Sequence, residues 1–449
     1  MTGTRGRDTP GTVAPVVERT ARIPAGFVAA GRSAGIKKSG RPDLALVVAT
    51  HGPAAAAAVF TPNRFAAAPV QQSRHVLAAS GGWVRAVIST SGCANAATGP
   101  AGDEDQRRVG ELVADAVGIT PEQVLHFSTG VIGTRLPLDR IEAGIAAIVP
   151  DLATSDSGLA AAAAALRTTD STTKAATVTI ELRGTLGDTV PVRVTGIAKG
   201  VGMIHPNMAT MLSLVLTDAT ADPALLASIL RPAAARTWNQ LSIDGDTSTN
   251  DTVFLLASGA AGAAPLVAGA PAAAALATAI EAVARDLARQ QAADGEGATG
   301  LLTCLVRGAA DDADARAVAR AIISSSLVKA AAHGKDPNWG RIAGAAGNAC
   351  LAPAAVLEAA GLAPAEAAAR AGSQAALDPN TLRIWIASHL VFEGLRGGPQ
   401  DFDRAAARAA LDTPEIVIEL DLGLGDGTGE AFGCDLTEAY VRENSEYTT

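Results

Sequence analysis

The sequence is poor in aromatic residues: Phe, Trp and Tyr together make up 3% of its 449 positions. Its hydrophobic share of 48% therefore rests on Ala, Val, Leu and Ile, side chains suited to helices laid closely on sheets. Basic residues are outnumbered, 36 to 45, for a formal charge of −9. That argues against a nucleic-acid surface, since no basic stripe is present to neutralise phosphates. Cysteine is scarce, and Cys93, Cys304, Cys350 and Cys434 lie far apart with no C-x-x-C pair. Neither a disulfide framework nor a cysteine metal site is expected, only reduced, partly buried thiols. The longest uncharged stretch, 252–280, is broken by Pro265, Pro271 and glycines. It reads as a strand end, a linker and a helix start, not a membrane span. The first 24 residues have no apolar core, so no secretory signal is expected and the inferred location is the cytoplasm.

Familiar site motifs are missing as well. No G-x-G-x-x-G follows a strand, and "HGKD" at 333–336 lacks the upstream glycine and the hydroxyl of a phosphate-binding loop. There is no G-x-S-x-G and no H-E-x-x-H, and the six histidines are scattered singly. A serine hydrolase or a zinc enzyme finds no support, and no metal is expected. "NDT" at 250–252 fits a glycosylation acceptor that a cytoplasmic chain would not use.

What is present is an alternation of strands and helices. Apolar runs bounded by Gly and Pro predict strands over 43–50, 54–60, 84–90, 211–219, 251–259 and 414–423, with a hairpin over 175–182 and 189–198. Helical spacing covers 103–118, 138–152, 156–170, 222–241 and 314–334. A further helix start is expected at 120, where Thr120, Pro121 and Gln123 fit a capped first turn. The class is mixed α and β, and the length calls for two or more subdomains.

Five polar, glycine-rich clusters interrupt these elements: "STGVIG" (128–133), "KGVGMIHPNMATML" (199–212), "DGDTSTNDT" (244–252), "DGEGATG" (294–300) and "GKDPNWGR" (334–341). Loops on a rigid scaffold are where sites are built. Within the second cluster, Thr210 follows the small Ala209. A threonine hydroxyl inside a chain is a weak nucleophile. Were the Ala209–Thr210 bond broken, the new α-amine, with a reference pKa of roughly 7.7–8.0, would sit beside that hydroxyl as a built-in base. The Thr129 hydroxyl and the Gly130 N–H of "STGVIG" are candidates for the oxyanion site.

"GIAKGVGMIHPNMATML" closely resembles the self-cleaving segment of the ornithine acetyltransferase (glutamate N-acetyltransferase, ArgJ-like) family. The resemblance runs nearly end to end, through "GFVAAGRSAGIK", "SGCANAATG", "STGVIGTRLP", "RTTD", "DGDTSTNDT", "DGEGATG", "LVKAAAHGKDPNWGRIAGAAGNA" and "GCDLTEAYVRENSEYTT". It implies an N-terminal-nucleophile enzyme of α/β (α+β) class: a layered α-β-β-α sandwich of the ArgJ/DmpA-like fold, with a second, smaller α/β domain. It implies a cut between Ala209 and Thr210 into an α chain (1–209) and a β chain (210–449) that stay together, commonly as α2β2.

By the same resemblance Thr210 is the nucleophile that becomes acetylated, and Thr129 with Gly130 is the oxyanion pair. Lys199, Glu296, Asn444 and Thr449 match substrate contacts, as does Thr169 or its neighbour Thr168. The implied reaction moves the acetyl group of N-acetylornithine to glutamate by a ping-pong route, without metal or redox cofactor. Acetyl-CoA is a further donor in some members. The alternative is a paralogous threonine-nucleophile acyltransferase or amidase acting on another N-acyl amine. Several positions depart from the family pattern: Cys93 for Asn, Arg167 for an apolar residue, Ser171-Thr172-Thr173 for Thr-x-Pro, His333 for an aromatic, Glu443 for Ile and Thr448 for Arg. None removes the nucleophile or an oxyanion group. Those beside Thr169 and at the C-terminus border the expected substrate pocket and bear on the choice of acceptor.

Overall fold

The structure is a computed structural model that describes residues 15–205, 211–394 and 398–445. Two sheets lie face to face at its centre. The first has four strands in the order Phe27–Arg32, Leu44–Ala49, Ala86–Cys93 and Val124–Val131, the last pair parallel. The second has six: Trp83–Val84, Ala54–Phe60, Thr252–Ala257, Leu212–Thr217, Thr189–Lys199 and Lys174–Arg183. Although Leu44–Ala49 and Ala54–Phe60 are neighbours in sequence, they belong to different sheets. One core fills the space between. It is built from Phe27, Val47, Val87 and Phe127 of the first sheet, with Leu212, Leu214, Phe254 and Leu256 of the second. Phe127 and Phe254 stack with centroids 4.5 Å apart, an arrangement worth about 1 kcal/mol beyond the area buried.

Helices cover the two outer faces. Gly99–Val117 and Leu138–Ile148 place Val109, Val113, Ile141 and Ile145 against Leu44, Leu46 and Ile88. Pro223–Arg236 and Pro271–Ala293 place Leu226, Leu230, Leu276 and Leu287 against Val194, Val215 and Val253. The layers are thus α-β-β-α, as the resemblance implies. The alanine-rich helix Asp156–Leu166, a strong local helix former, is capped by Ser155, whose Oγ accepts from the Gly158 N–H at 3.2 Å. It packs so closely on the first strand that a Cβ at Gly31 would lie 2.1 Å from the Ala161 carbonyl oxygen.

A seven-stranded sheet forms the second domain, in the order Leu241–Ser242, Gly427–Cys434, Leu301–Ala309, Glu415–Asp421, Arg383–Ile386, His389–Glu393 and Gly398–Pro399. Asp312–Ser324 and Trp339–Gly347 cover it through Val318, Ile322 and Ile342. The long Pro271–Ala293 helix joins the two bodies: Arg285 pairs with Glu430, and the Arg289 guanidinium lies over the Phe432 ring.

Three expectations need correction. The helix start at 120 ends after one 3₁₀ turn, Pro121–Gln123, and Thr120 makes no side-chain cap. The next residues, Val124–Val131, are instead an inner strand beside Ala86–Cys93, because the tertiary pairing outweighs a local capping pattern. The helix over 314–334 is two helices, Asp312–Ser324 and Ser326–His333, divided at the extended Ser325, whose Oγ accepts from the Val328 N–H. Cys350 is exposed, while Cys93, Cys304 and Cys434 are buried, and all four are free thiols. Among the described residues no helix is long and apolar enough to cross a membrane.

Candidate active site

Near the end of the Val124–Val131 strand, Thr129 and Gly130 lie opposite Ser91 and Gly92 of its parallel neighbour. Only glycine fits at 130: its φ is +132°, and a Cβ would lie 2.4 Å from the Gly92 carbonyl carbon. Ser128 Oγ donates to the Cys93 carbonyl at 2.6 Å. Asn250 Nδ2 donates to the carbonyls of Ala94 and Ser128, at 2.7 and 2.8 Å. Its own Oδ1 accepts from the Thr249 hydroxyl at 2.7 Å. A single buried amide thus fixes both strand ends beneath the Thr129–Gly130 step.

Lys199 closes the Thr189–Lys199 strand, and its Nζ donates to Thr129 Oγ1 at 3.1 Å. Burial pushes the Lys199 pKa down, against the raising influence of Asp170, Glu296 and Asp251. Asp170 answers in the other direction. Burial would raise its carboxyl, but the Lys199 and Lys174 ammoniums and the Gly200 N–H together hold it below its ordinary value. Asp251 is pushed well above its ordinary value by burial, and among the described residues its Oδ2 has no hydrogen-bond partner.

The opposite wall is acidic. Glu296 accepts from the Thr169 hydroxyl at 2.6 Å through Oε1, and from Asn444 Nδ2 at 2.9 Å through Oε2. Its backbone N–H donates to the Val201 carbonyl at 2.8 Å. Gly202 leaves room for this carboxylate, since a Cβ there would meet Oε2 at 2.2 Å. Asn444 arrives on the helix Glu438–Ser445, which His333 ties down through Asp435 at 3.1 Å and Glu438 at 3.4 Å.

A cavity of about 310 Å³ lies between the walls. Thr129, Gly130, Thr169, Lys199, Glu296 and Asn444 all line it, although they come from five segments scattered along the chain. Of the two candidate threonines, Thr169 turns its hydroxyl to Glu296, while Thr168 is held through its backbone by Asp170 and Arg41. Ala209, Thr210 and Thr449 lie outside the described residues, as does Thr448. Ile204 and Met211, on either side of 206–210, line the same cavity.

The departures near Thr169 have definite contacts. Arg167 donates to the carbonyls of Asp170 and Ser171, and the backbone N–H groups of Ser171 and Thr172 bond Asp294. Burial, then Glu296 and Asp294, push the Glu443 carboxyl up. Cys93 Sγ meets the Thr134 carbonyl at 3.1 Å. Sequence reasoning missed Asn250, Asp251 and Lys174. The first two lie in the polar cluster 244–252, whose composition marked it as a site loop without saying which residue acts. Among the described residues, no three His, Cys, Asp or Glu side chains are grouped to hold a metal ion.

A lysine on a threonine hydroxyl thus shares one cavity with a carboxylate, a pairing of opposite polarities that suits a small molecule carrying both charges. A model described as the ArgJ family matches residues 28–449. The arginine biosynthesis bifunctional protein ArgJ of Synechocystis is 43% identical over 97% of this chain and 99% of its own length. That of Thermus thermophilus is 45% identical over 95% and 99%. Among solved structures, ArgJ from Bacillus halodurans is 38% identical over 53% of this chain and 99% of its own, with a TM-score of 0.45. Ornithine acetyltransferase from Mycobacterium tuberculosis, in complex with ornithine, is 41% identical over 42% and 98%, with a TM-score of 0.38.

On the family match and the curated relatives, the protein is an acyltransferase enzyme of arginine biosynthesis. It belongs to the ArgJ family.

Proposed function

We propose that the chain cuts itself between Ala209 and Thr210 and then transfers the acetyl group of N-acetylornithine to glutamate through an acetyl-threonine ester. The Thr210 hydroxyl attacks the acetyl carbonyl while its own α-amine takes the proton. The oxyanion is held by the Thr129 hydroxyl and the Gly130 N–H. Collapse breaks the C–N bond, the proton passes to the leaving amine, and ornithine departs. Glutamate then attacks the ester and regenerates the threonine. No step calls for a metal or redox cofactor, and acetyl-CoA serves as an alternative donor to the same threonine.

The observation that carries this reading is the Lys199–Thr129 hydrogen bond inside a cavity shared with Glu296, Thr169 and Asn444. Because Lys199 occupies a lone pair of Thr129 Oγ1, the hydroxyl proton is left to donate to an oxyanion. The two polarities suit the carboxylate and the side-chain ammonium of an ornithine derivative.

A cut at this position would leave both products in one sheet. The Leu212–Thr217 strand pairs with Thr189–Lys199 on one side and Thr252–Ala257 on the other, and the latter pairs with Ala54–Phe60. That pairing supports an α chain (1–209) and a β chain (210–449) that stay together; we further place them in the cytoplasm as an α2β2 assembly, whose mass light scattering measures.

Intact-mass spectrometry tests the reaction. After exposure to N-acetylornithine, the β chain is expected to carry one acetyl group, which glutamate removes as N-acetylglutamate. Thr210→Ala is expected to run as a single 44.9 kDa chain with no adduct. Release of free acetate at the same rate with and without glutamate would point to an amidase, and full activity in an uncut chain would overturn the mechanism.

A further inference from the structure

Lys174 opens the Lys174–Arg183 strand, and its side chain is fully buried. It does not line the cavity. Its ammonium has three protons and three acceptors: Asp170 Oδ1 at 2.8 Å, Asp294 Oδ2 at 2.5 Å and the Thr172 carbonyl at 3.2 Å. A charge held this completely is costly to bury and is retained where it fixes one arrangement.

What it fixes is visible in its partners. Asp170 also accepts from the Gly200 N–H at 2.8 Å and from the Thr168 N–H at 3.2 Å. Asp294 accepts from the backbone N–H groups of Ser171 and Thr172, at 3.0 and 3.3 Å, and bonds the Ser171 hydroxyl. Each carboxylate therefore joins Lys174 to a different chain segment. Thr169 is the residue before Asp170, Lys199 the residue before Gly200, and Glu296 lies two residues beyond Asp294. Three cavity groups on three segments are thus referenced to one ammonium that touches none of them. Removing that ammonium would leave the buried Asp170 carboxylate facing the half-buried Asp294 carboxylate, and their repulsion would spread the segments apart.

We propose that Lys174 is a positioning residue for the substrate: through Asp170 and Asp294 it sets the spacing between the cationic wall at Lys199 and the acidic wall at Glu296 and Thr169. The proposal rests on the reading that this cavity takes an N-acyl amino acid bearing a second amine.

The test compares wild type with Lys174→Met, of similar length, and with Asp294→Asn, which keeps its shape but drops a charge. Hydrogen exchange followed by mass spectrometry reads the geometry without any substrate. The amides of 168–172, 199–201 and 294–296 are expected to lose protection together in both variants, while Ala86–Cys93 and Val124–Val131 keep theirs. Kinetics on the purified, cut enzyme reads the function. KM for N-acetylornithine is expected to rise about tenfold or more, with kcat within about threefold, the mark of lost ground-state binding.

A merely structural lysine would lower the active fraction and the melting temperature while leaving KM unchanged, and that result overturns the proposal. So does unaltered exchange at 199–201 and 294–296. If Lys174→Met fails to fold, Asp294→Asn alone decides by the same two readouts. If wild type does not turn over N-acetylornithine, the functional reading falls, while the exchange pattern still decides whether Lys174 couples the three segments.

Discussion

Replacing Asn250 by alanine removes the amide that spans the two strand ends beneath the oxyanion step. It deletes donors to the Ala94 and Ser128 carbonyls, at 2.7 and 2.8 Å, and the acceptor of the Thr249 hydroxyl. Each buried carbonyl left unpaired costs about 1–3 kcal/mol, so two set an upper bound of about 6 kcal/mol. Asn250 borders the cavity, and water entering there would recover part of this, leaving an expected loss of about 2–4 kcal/mol. Catalysis should suffer more than stability. Asn250 holds the Ser128 carbonyl one residue before Thr129, so a loosened strand end misplaces the oxyanion donors, and the loss of one such donor costs about 10²–10³ in kcat. Asn250→Asp keeps the volume but sets an acceptor against two carbonyls, and is expected to be at least as damaging. Urea unfolding monitored by circular dichroism gives the stability change, and acetyl transfer from N-acetylornithine gives kcat. A variant that loses less than about 0.5 kcal/mol and keeps its kcat would refute the assignment of Asn250 as the anchor of this step.

Gly130→Ala is expected to abolish acetyl transfer, because the Cβ would lie 2.4 Å from the Gly92 backbone in a region of φ that L-residues rarely adopt; activity of the purified variant checks this. Gly202→Ala meets a flexible carboxylate rather than backbone, so the protein is expected to fold with an unchanged melting temperature. Its KM is expected to rise as Glu296 is turned from Thr169 and Asn444. His126 is fully buried, and burial drives its pKa down to about 3. The neutral ring is therefore the folded form: its contribution is intact above pH 6.5 and falls away as the pH drops toward 3, at up to about 1.4 kcal/mol per pH unit. Denaturant unfolding across pH 3–7 is expected to show a shallower acid limb in His126→Gln than in wild type.

Much of the scaffold was legible in the chain. Apolar runs bounded by Gly and Pro marked the strands 44–49, 54–60 and 212–217 within a residue or two, because strands covered on both faces read as short continuous apolar runs. The Val124–Val131 strand was not legible, since Thr120, Pro121 and Gln123 carry the local signature of a helix start. Its strand character comes from the partner strand Ala86–Cys93, which no local window contains. Lys174 was equally invisible. A lysine at the head of an amphipathic strand reads as solvated, and only the distant Asp294 makes it a buried hub.

By itself the sequence determined the class of the layers, the glycine at 130 and the side chains that reach the cavity, because residue type sets backbone freedom, hydrogen-bonding capacity and charge. Tertiary structure alone decided that Thr129, Thr169, Lys199, Glu296 and Asn444 meet around one space. It also decided that Asn250 and Lys174 hold their frames in place. Hydrogen bonds and ion pairs between distant segments arise only once the sheets have stacked and expelled water, and no spacing along the chain records them.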